Sequence, residues 1–353
     1  MRGGAVSRAR VDAQAHPGLF VRLPRQEGTM PKRPSRREVI KLAGFAAAGL
    51  CLPAFPVLAH VPTRPPAPRK RVLRIAHLTD IHVQPERRGG EGFAACLRHV
   101  NSLADRPDLI ITGGDQVMDT FEQGRERSKV LWDLWNACLK NDNGIPAAHV
   151  LGNHDIWGWN KKKSKCTGNE PGYGKAWACE QFGRDKPYTS FDRNGWHFIL
   201  LDSIQPKGDG YIARLDDEQF AWLEADLKSL PAATPVAIFS HVPIFAVCVF
   251  SGAKTKNDPD NWRVSGGLMH SDARRLHALF LKHPGVKLCV SGHIHERDRV
   301  EYCGVTYVCD GAVCGRWWRG RHAQCDEGYG TFDLFDDGTF SHEYHTFGWK
   351  AGA

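Results

Sequence analysis

Five short apolar runs in this chain each stop at a polar cluster. Residues 72–78 lead into Thr79-Asp80-Ile81-His82, and residues 109–112 into Gly113-Gly114-Asp115. Residues 147–151 lead into Gly152-Asn153-His154-Asp155, 236–239 into Ser240-His241, and 286–290 into Ser291-Gly292-His293-Ile294-His295. Apolar runs of about four to eight residues bounded by glycine and small polar residues read as buried strands. Helical spacing occupies 93–104, 125–139, 216–230 and 272–282, in alternation with those runs. Strand, loop, helix, strand is the pattern of β-α-β units, which place sites at the C-terminal ends of their strands. The second half adds a hairpin at 188–201 around Arg193-Asn194-Gly195 and strands near 299–309 and 331–345. The fold class expected is therefore mixed α/β or α+β.

The polar clusters share one chemistry. Carboxylate, amide oxygen and imidazole suit borderline-hard divalent metals, and the clusters contain no thiolate that would favour a soft one. If residues 79–82 are extended, Asp80 and His82 point the same way while Ile81 enters the core, and His293 and His295 do the same around Ile294. An isolated buried histidine is more often a hydrogen-bonded packing residue than a ligand. His77, His99, His149 and His277 are read that way.

In order and residue type, these five clusters resemble the calcineurin-like metallophosphoesterase superfamily, over about residues 72–310. The pattern is similar to its exported, cyclic-nucleotide phosphodiesterase-like members. It departs from purple acid phosphatases, because Gln116-Val117-Met118 stands where those enzymes carry an iron-binding tyrosine. The resemblance implies a two-sheet β-sandwich flanked by helices, a four-layer αββα arrangement. It implies that Asp80, His82 and His295 hold one metal ion, that Asn153, His241 and His293 hold another, and that Asp115 bridges them. The ions expected are manganese, iron or zinc. Two cations about 3.5–4 Å apart acidify a bridging water and clamp the attacking and leaving oxygens of a phosphoryl transfer. His154 is then the general acid and Asp155 the group that orients it. The implied activity is metal-dependent hydrolysis of phosphate esters, with a phosphodiesterase favoured over a phosphomonoesterase or nucleotidase. A non-catalytic metal-bound scaffold is the alternative from another class.

Three segments are candidates for shaping substrate choice. Residues 156–186 carry Trp157, Trp159 and Lys161-Lys162-Lys163, a rim that either attracts an anion or forms a solvated face. Residues 250–270 read as a second long loop. Arg316, Trp317 and Trp318 follow the strand near 309, where tryptophans stack on a base or sugar and an arginine contacts phosphate, or pack beneath the sheet.

The N-terminus is of a different kind. Residues 1–71 hold 14 Lys+Arg against 3 Asp+Glu, and the remainder 33 against 36. The formal charge of +8 therefore belongs to a leader, not to a nucleic-acid-binding surface. Residues 30–59 combine Ser35-Arg36-Arg37-Glu38-Val39-Ile40-Lys41 with a short Ala/Gly-rich apolar stretch. This resembles a twin-arginine signal peptide, served by the twin-arginine export machinery and directing the protein to the periplasm or outside the cell. The stretch is broken by Pro53 and Pro56 and makes a poor permanent membrane span, although an uncleaved signal would anchor the chain. Met30 stands directly before it and is the expected start, with 1–29 untranslated or disordered. Residues 60–71 are a Pro-rich linker, and 72–349 a single catalytic domain whose C-terminal strands, from about Gly330 to Tyr344, read as a final hairpin completing a sheet. Of the 11 cysteines, none forms a CxxC pair. In an exported protein, Cys166 with Cys179, and Cys303 with Cys314 or Cys325, are the plausible disulfides; buried free thiols are the alternative.

Overall fold

The computed structural model describes residues 69–251 and 260–351, all within a compact unit spanning Pro65–Ala353. The expected signal peptide, the expected start at Met30 and most of the expected linker lie outside the described residues.

The first half of the chain supplies β1 (Arg71–Leu78), α1 (Gly89–Ser102), β2 (Leu109–Thr112), α2 (Arg125–Asp142) and β3 (Ala147–His149). Two short helices follow, α3 (Lys161–Ser164) and α4 (Ala176–Gln181). Then come β4 (Thr189–Arg193), β5 (Trp196–Leu200), β6 (Ile204–Lys207), β7 (Gly210–Ala213), α5 (Asp217–Ser229) and β8 (Val236–Phe239). The chain closes with α6 (Ala273–Phe280), β9 (Val286–Ser291), β10 (Asp298–Tyr302), β11 (Val305–Cys309), β12 (Gly328–Phe335) and β13 (Phe340–Thr346).

These strands form two large sheets, ordered β13-β12-β1-β2-β3 and β10-β11-β9-β8-β5-β4, and a small β6-β7 ribbon. Side-chain alternation along each central strand explains why the sheets stack. Leu73 and Ile75 of β1, Ala237 and Phe239 of β8, and Leu288 and Val290 of β9 meet in the core between the sheets. The alternate residues face outward under helices: Ala76 and Leu78 pack with α1 and α2. Ile238 and Cys289 pack with α5 and α6. In α2, Leu131, Trp132, Trp135 and Cys138 are buried at helical spacing, one apolar stripe against the sheet. The Asp216 carboxylate caps α5 by accepting the Gln219 N–H at 2.8 Å, and Asp217 and Glu218 occupy its first turn. The result is the two-sheet, helix-flanked sandwich expected from the sequence.

The C-terminal strands complete a sheet of the same domain, as expected: β12 enters the first sheet beside β1, antiparallel to it, with Ile75 opposite Phe332, so the last strands help to hold the first. The β6-β7 ribbon was not legible beforehand; it falls in a stretch with no assigned structure, and it carries Tyr211 toward the polar clusters. No helix of the described residues is long and apolar enough to cross a membrane.

Candidate metal centre

β1, β2, β8 and β9 all run to the same edge of the sandwich, so the loops after their C-terminal ends converge. The loops are tied directly to one another. Asp80 N–H donates to Gly114 O at 3.1 Å, His82 N–H to Asp115 O at 2.9 Å, and Gly292 N–H to His241 O at 3.0 Å. This close approach requires glycine at the contact points: a Cβ on Gly114 would run into the His241 ring, and one on Gly292 into Thr79 Oγ1.

The two loops bearing DxH and HxH are not extended. Asp80, His82, Asp115, His293 and His295 all adopt left-handed backbone conformations, with φ of 53°, 45°, 53°, 72° and 59°. Asp80 and His82 thus share a direction because a strained loop turns them together, not because a strand alternates. Each such residue costs on the order of 1–3 kcal/mol unless its surroundings compensate. Ile81 nonetheless enters the core as expected.

All seven candidate ligands meet. His295 Nε2 lies 3.2 Å from Asp80 Oδ1, and His82 Nε2 lies 3.9 Å from that atom and 3.5 Å from Asp115 Oδ2. On the other side, His241 Nε2 is 3.2 Å from Asp115 Oδ2, 3.1 Å from Asn153 Oδ1 and 3.1 Å from His293 Nδ1. Ligand atoms about 2.0–2.2 Å from one ion lie roughly 3–3.5 Å apart; the second half matches that spacing at 3.1–3.2 Å, and the first is slightly wider, at 3.2–3.9 Å. Buried Asp80 Oδ1 and His82 Nε2 have no hydrogen-bond partner. Orphaned buried atoms of this kind call for an explanation, and a bound cation supplies one. The ring nitrogens facing away are held by main-chain oxygens: His241 Nδ1 by Gly113 O at 2.9 Å and His295 Nδ1 by Gly315 O at 2.6 Å. That fixes which nitrogen of each ring points inward.

Burial disfavours charge on His241, yet the adjoining Asp115 and Asp80 carboxylates raise its pKa to about 9. His82 goes the other way, to about 3, through burial, with further lowering by His154 and His295. Burial and the neighbouring His241 bring His293 down to about 4.

The family model for calcineurin-like phosphoesterases matches residues 73–297, a span that contains all five polar clusters. The chain belongs to the calcineurin-like phosphoesterase family. It is similar to a 3',5'-cyclic-nucleotide phosphodiesterase of Nostoc sp., 26% identical over 255 residues, covering 69% of this chain and 80% of that protein. It is also similar to the 3',5'-cyclic adenosine monophosphate phosphodiesterase CpdA of Escherichia coli, 23% identical over 301 residues (80% and 92% coverage). In fold it resembles a dimetal phosphatase from Danio rerio, with a TM-score of 0.51 at 14% identity, covering 76% of this chain and 94% of that one. The protein is a metal-dependent phosphoester hydrolase.

Several expectations for this phosphoesterase need correction. Asp155 does not orient His154. Its fully buried carboxylate accepts from the backbone N–H groups of Gly152 at 2.9 Å, Asp115 at 3.0 Å, Gln116 at 2.8 Å and Val117 at 3.3 Å. It pins the Asp115 loop. The acid beside the His154 ring is Asp119, with Oδ1 3.8 Å from Nδ1. Asp119 stands four residues beyond Asp115, a spacing that offers no motif to notice. Tyr211, its hydroxyl 3.4 Å from His293 Nε2, was missed because its ribbon was missed.

Arg316, Trp317 and Trp318 part company. Trp318 is buried, donates from Nε1 to His82 O at 3.0 Å and packs against Trp349, so it supports the DxH loop from below. Trp317 packs against His295 with ring centroids 4.9 Å apart and lines a cavity beside it. Arg316 is exposed and does not line that cavity. The lysine run is spent locally: Lys161 Nζ donates to Thr167 O and Lys163 Nζ pairs with Glu122. No expected disulfide forms; all ten described cysteines are free, with Cys303 exposed and Cys314 and Cys325 buried. The four packing histidines do find partners, Asp310, Tyr329, Thr112 and Tyr307 respectively for His77, His99, His149 and His277.

Two outcomes follow from the geometry. Zinc binding at pH 7 displaces a proton from His241. The calorimetric heat therefore varies with the buffer's ionisation enthalpy, affinity falls as pH falls, and the His241 contribution disappears as pH rises through about 9. Asp155→Asn places amide donors against backbone donors, and metal affinity in a chelator competition falls about 10- to 100-fold.

Proposed function

We propose that this protein hydrolyses phosphodiesters at a centre of two divalent cations. Asp80, His82 and His295 would hold one ion and Asn153, His241 and His293 the other, with the Asp115 carboxylate available to both. The observation that carries the diester reading is a pair of cavities flanking the ligand cluster. One, of about 650 Å³, is lined by Asn153, His154, Tyr211 and Leu268. The other, of about 220 Å³, is lined by His293, His295, Trp317 and also Leu268. A diester has two substituents, and the cluster offers a recess on each side. The described lining of both recesses contains no lysine or arginine. A diester carries one negative charge where a monoester carries up to two, so it has less need of such residues.

Bound cations supply charge neutralisation at the phosphoryl group and acidify water. The chain's own part is positional. His154 donates its backbone N–H to Asp115 Oδ1 at 2.8 Å, which sets its ring at the edge of the cluster and on the wall of the larger recess. Its Nδ1 has no hydrogen-bond partner, and Asp119 lies on that side. From there the ring is placed to protonate a departing alkoxide. Burial and the Asp115 and Asp80 carboxylates raise the Tyr211 phenol's pKa, keeping it a hydrogen-bond donor toward substrate oxygens. The relatives' names put 3',5'-cyclic nucleotides first among natural substrates to assay.

His154→Ala lowers kcat about 10²- to 10⁴-fold while two equivalents of metal remain bound. Loss of one equivalent would make His154 a ligand instead. On matched aryl phosphates and cyclic nucleotides, the loaded enzyme favours diester over monoester; the reverse order would mark a phosphomonoesterase. Inactivity on all of them with both ions bound would indicate a binding protein.

We also propose that residues 30–59 direct twin-arginine export to the periplasm or beyond. The arrangement Ser35-Arg36-Arg37 before an Ala/Gly-rich stretch supports this. Replacing Arg36 and Arg37 by lysine should leave the protein in the cytoplasm, and undiminished export of that variant would count against the route.

A further inference from the structure

Cys314 has no place in any of the five polar clusters, and the sequence offered it only as a possible disulfide partner of Cys303, with which it does not pair. In the fold it lies under the metal centre. The turn after β11 is bound to both ligand loops: Val313 N–H donates to Thr79 O at 2.9 Å and Cys314 N–H to Asp80 O at 3.2 Å. The next carbonyl, Gly315 O, receives His295 Nδ1 at 2.6 Å. Cys314 is therefore clamped between the main chain of Asp80 and the side chain of His295. Its side chain is fully buried.

The sulfur is part of the cluster. Cys314 Sγ and one ring nitrogen each from His82 and His295 all lie within 4.8 Å of one another. The sulfur lies 3.6 Å from Gly315 O and also makes hydrogen-bonding contacts with the His295 ring and the Trp317 main chain. In the same half of the centre, His82 Nε2 and Asp80 Oδ1 are buried without partners. A cysteine whose only task was to fill space would need none of this polar company.

We propose that Cys314 is a sulfur ligand of the Asp80–His82–His295 half of the centre, and that it biases that half toward zinc or ferrous iron over magnesium and manganese. This rests on the metal-ligand assignment above. On binding, the S–H bond gives up its proton to solvent and the freed sulfur lone pair bonds the cation, so no oxidant or reductant is involved. Thiolate is a soft donor, whereas the remaining oxygen and nitrogen donors accept hard and borderline ions alike. One sulfur therefore narrows a choice that the other ligands leave wide. It also makes the two halves unlike, since the Asn153–His241–His293 half has no sulfur within its grouping.

The test is spectroscopic and independent of turnover. X-ray absorption at the zinc edge of the zinc-loaded protein should show a sulfur neighbour at about 2.3 Å, absent from Cys314→Ser. The cobalt-loaded protein should show a near-ultraviolet sulfur-to-cobalt charge-transfer band that the same variant lacks. Competition between zinc and manganese should shift toward manganese in Cys314→Ser by about 10-fold or more. If serine disturbs folding, Cys314→Ala serves as a second variant, and the unmodified protein's spectrum decides by itself. A zinc shell of nitrogen and oxygen only would overturn the proposal. Zinc bound through sulfur without ester hydrolysis would leave it standing and remove the phosphodiesterase reading. A protein that binds no divalent metal would remove both.

Discussion

The Asp155 carboxylate is fully buried and receives four backbone N–H groups, three of them from Asp115, Gln116 and Val117. Burial and the nearby Asp115 carboxylate push its pKa up, while the amide donors at Gly152 and Val117 pull it down. The loop carrying Asp115 can hold its left-handed turn only while those donors are satisfied. From that turn, Asp115 presents Oδ2 to His82 on one side and His241 on the other. Its second oxygen fixes the His154 main chain. One buried acid, itself touching no substrate cavity, thus sets the position of the carboxylate on which both halves of the proposed centre converge.

Strain and charge are stored in the same few residues. Five of the seven proposed ligands have left-handed backbones. Their cost is offset by the inter-loop hydrogen bonds and by the packed sandwich beneath, where Phe239 and Val290 stand two and three residues before His241 and His293. The electrostatic cost is of another kind. Two buried carboxylates and four imidazoles crowd one space: burial disfavours charge on His241 and His295, but Asp115 and Asp80 raise the pKa of the first and Asp80 that of the second. Bound cations would give the orphaned Asp80 Oδ1 and His82 Nε2 partners.

The surroundings of the centre divide into support and access. Trp318 underpins the DxH loop from the core, while its neighbour Trp317 turns outward onto His295 and the smaller recess. Both have left-handed backbones, at φ 65° and 49°, which is how adjacent tryptophans come to serve opposite sides of one loop. The larger recess owes its wall to the β6-β7 ribbon, and Leu268 joins it to the smaller one. Of the rim lysines, Lys161 and Lys163 are engaged by closer acceptors, Thr167 O and Glu122.

The sequence by itself offered the five polar clusters and the apolar runs that deliver them, while the layering of the sandwich and the choice of seven ligands within the clusters came from the resemblance to a known superfamily. The clusters are a local matter: a short apolar run bounded by glycine and polar residues reads as a buried strand, and polar groups gather where it stops. The tertiary structure decided what local patterning cannot encode. Asp155 reads as a neighbour of His154 in the chain, yet its carboxylate faces amides contributed by residues some forty positions earlier. Trp317 and Trp318 are alike in sequence and opposite in use. Cys314, unremarkable in the chain, arrives beside His82 and His295 only because β11 pairs with β9 and the following turn is bound across to Asp80. In each case a contact between distant segments assigned the role, and no residue type or spacing announces such a contact in advance.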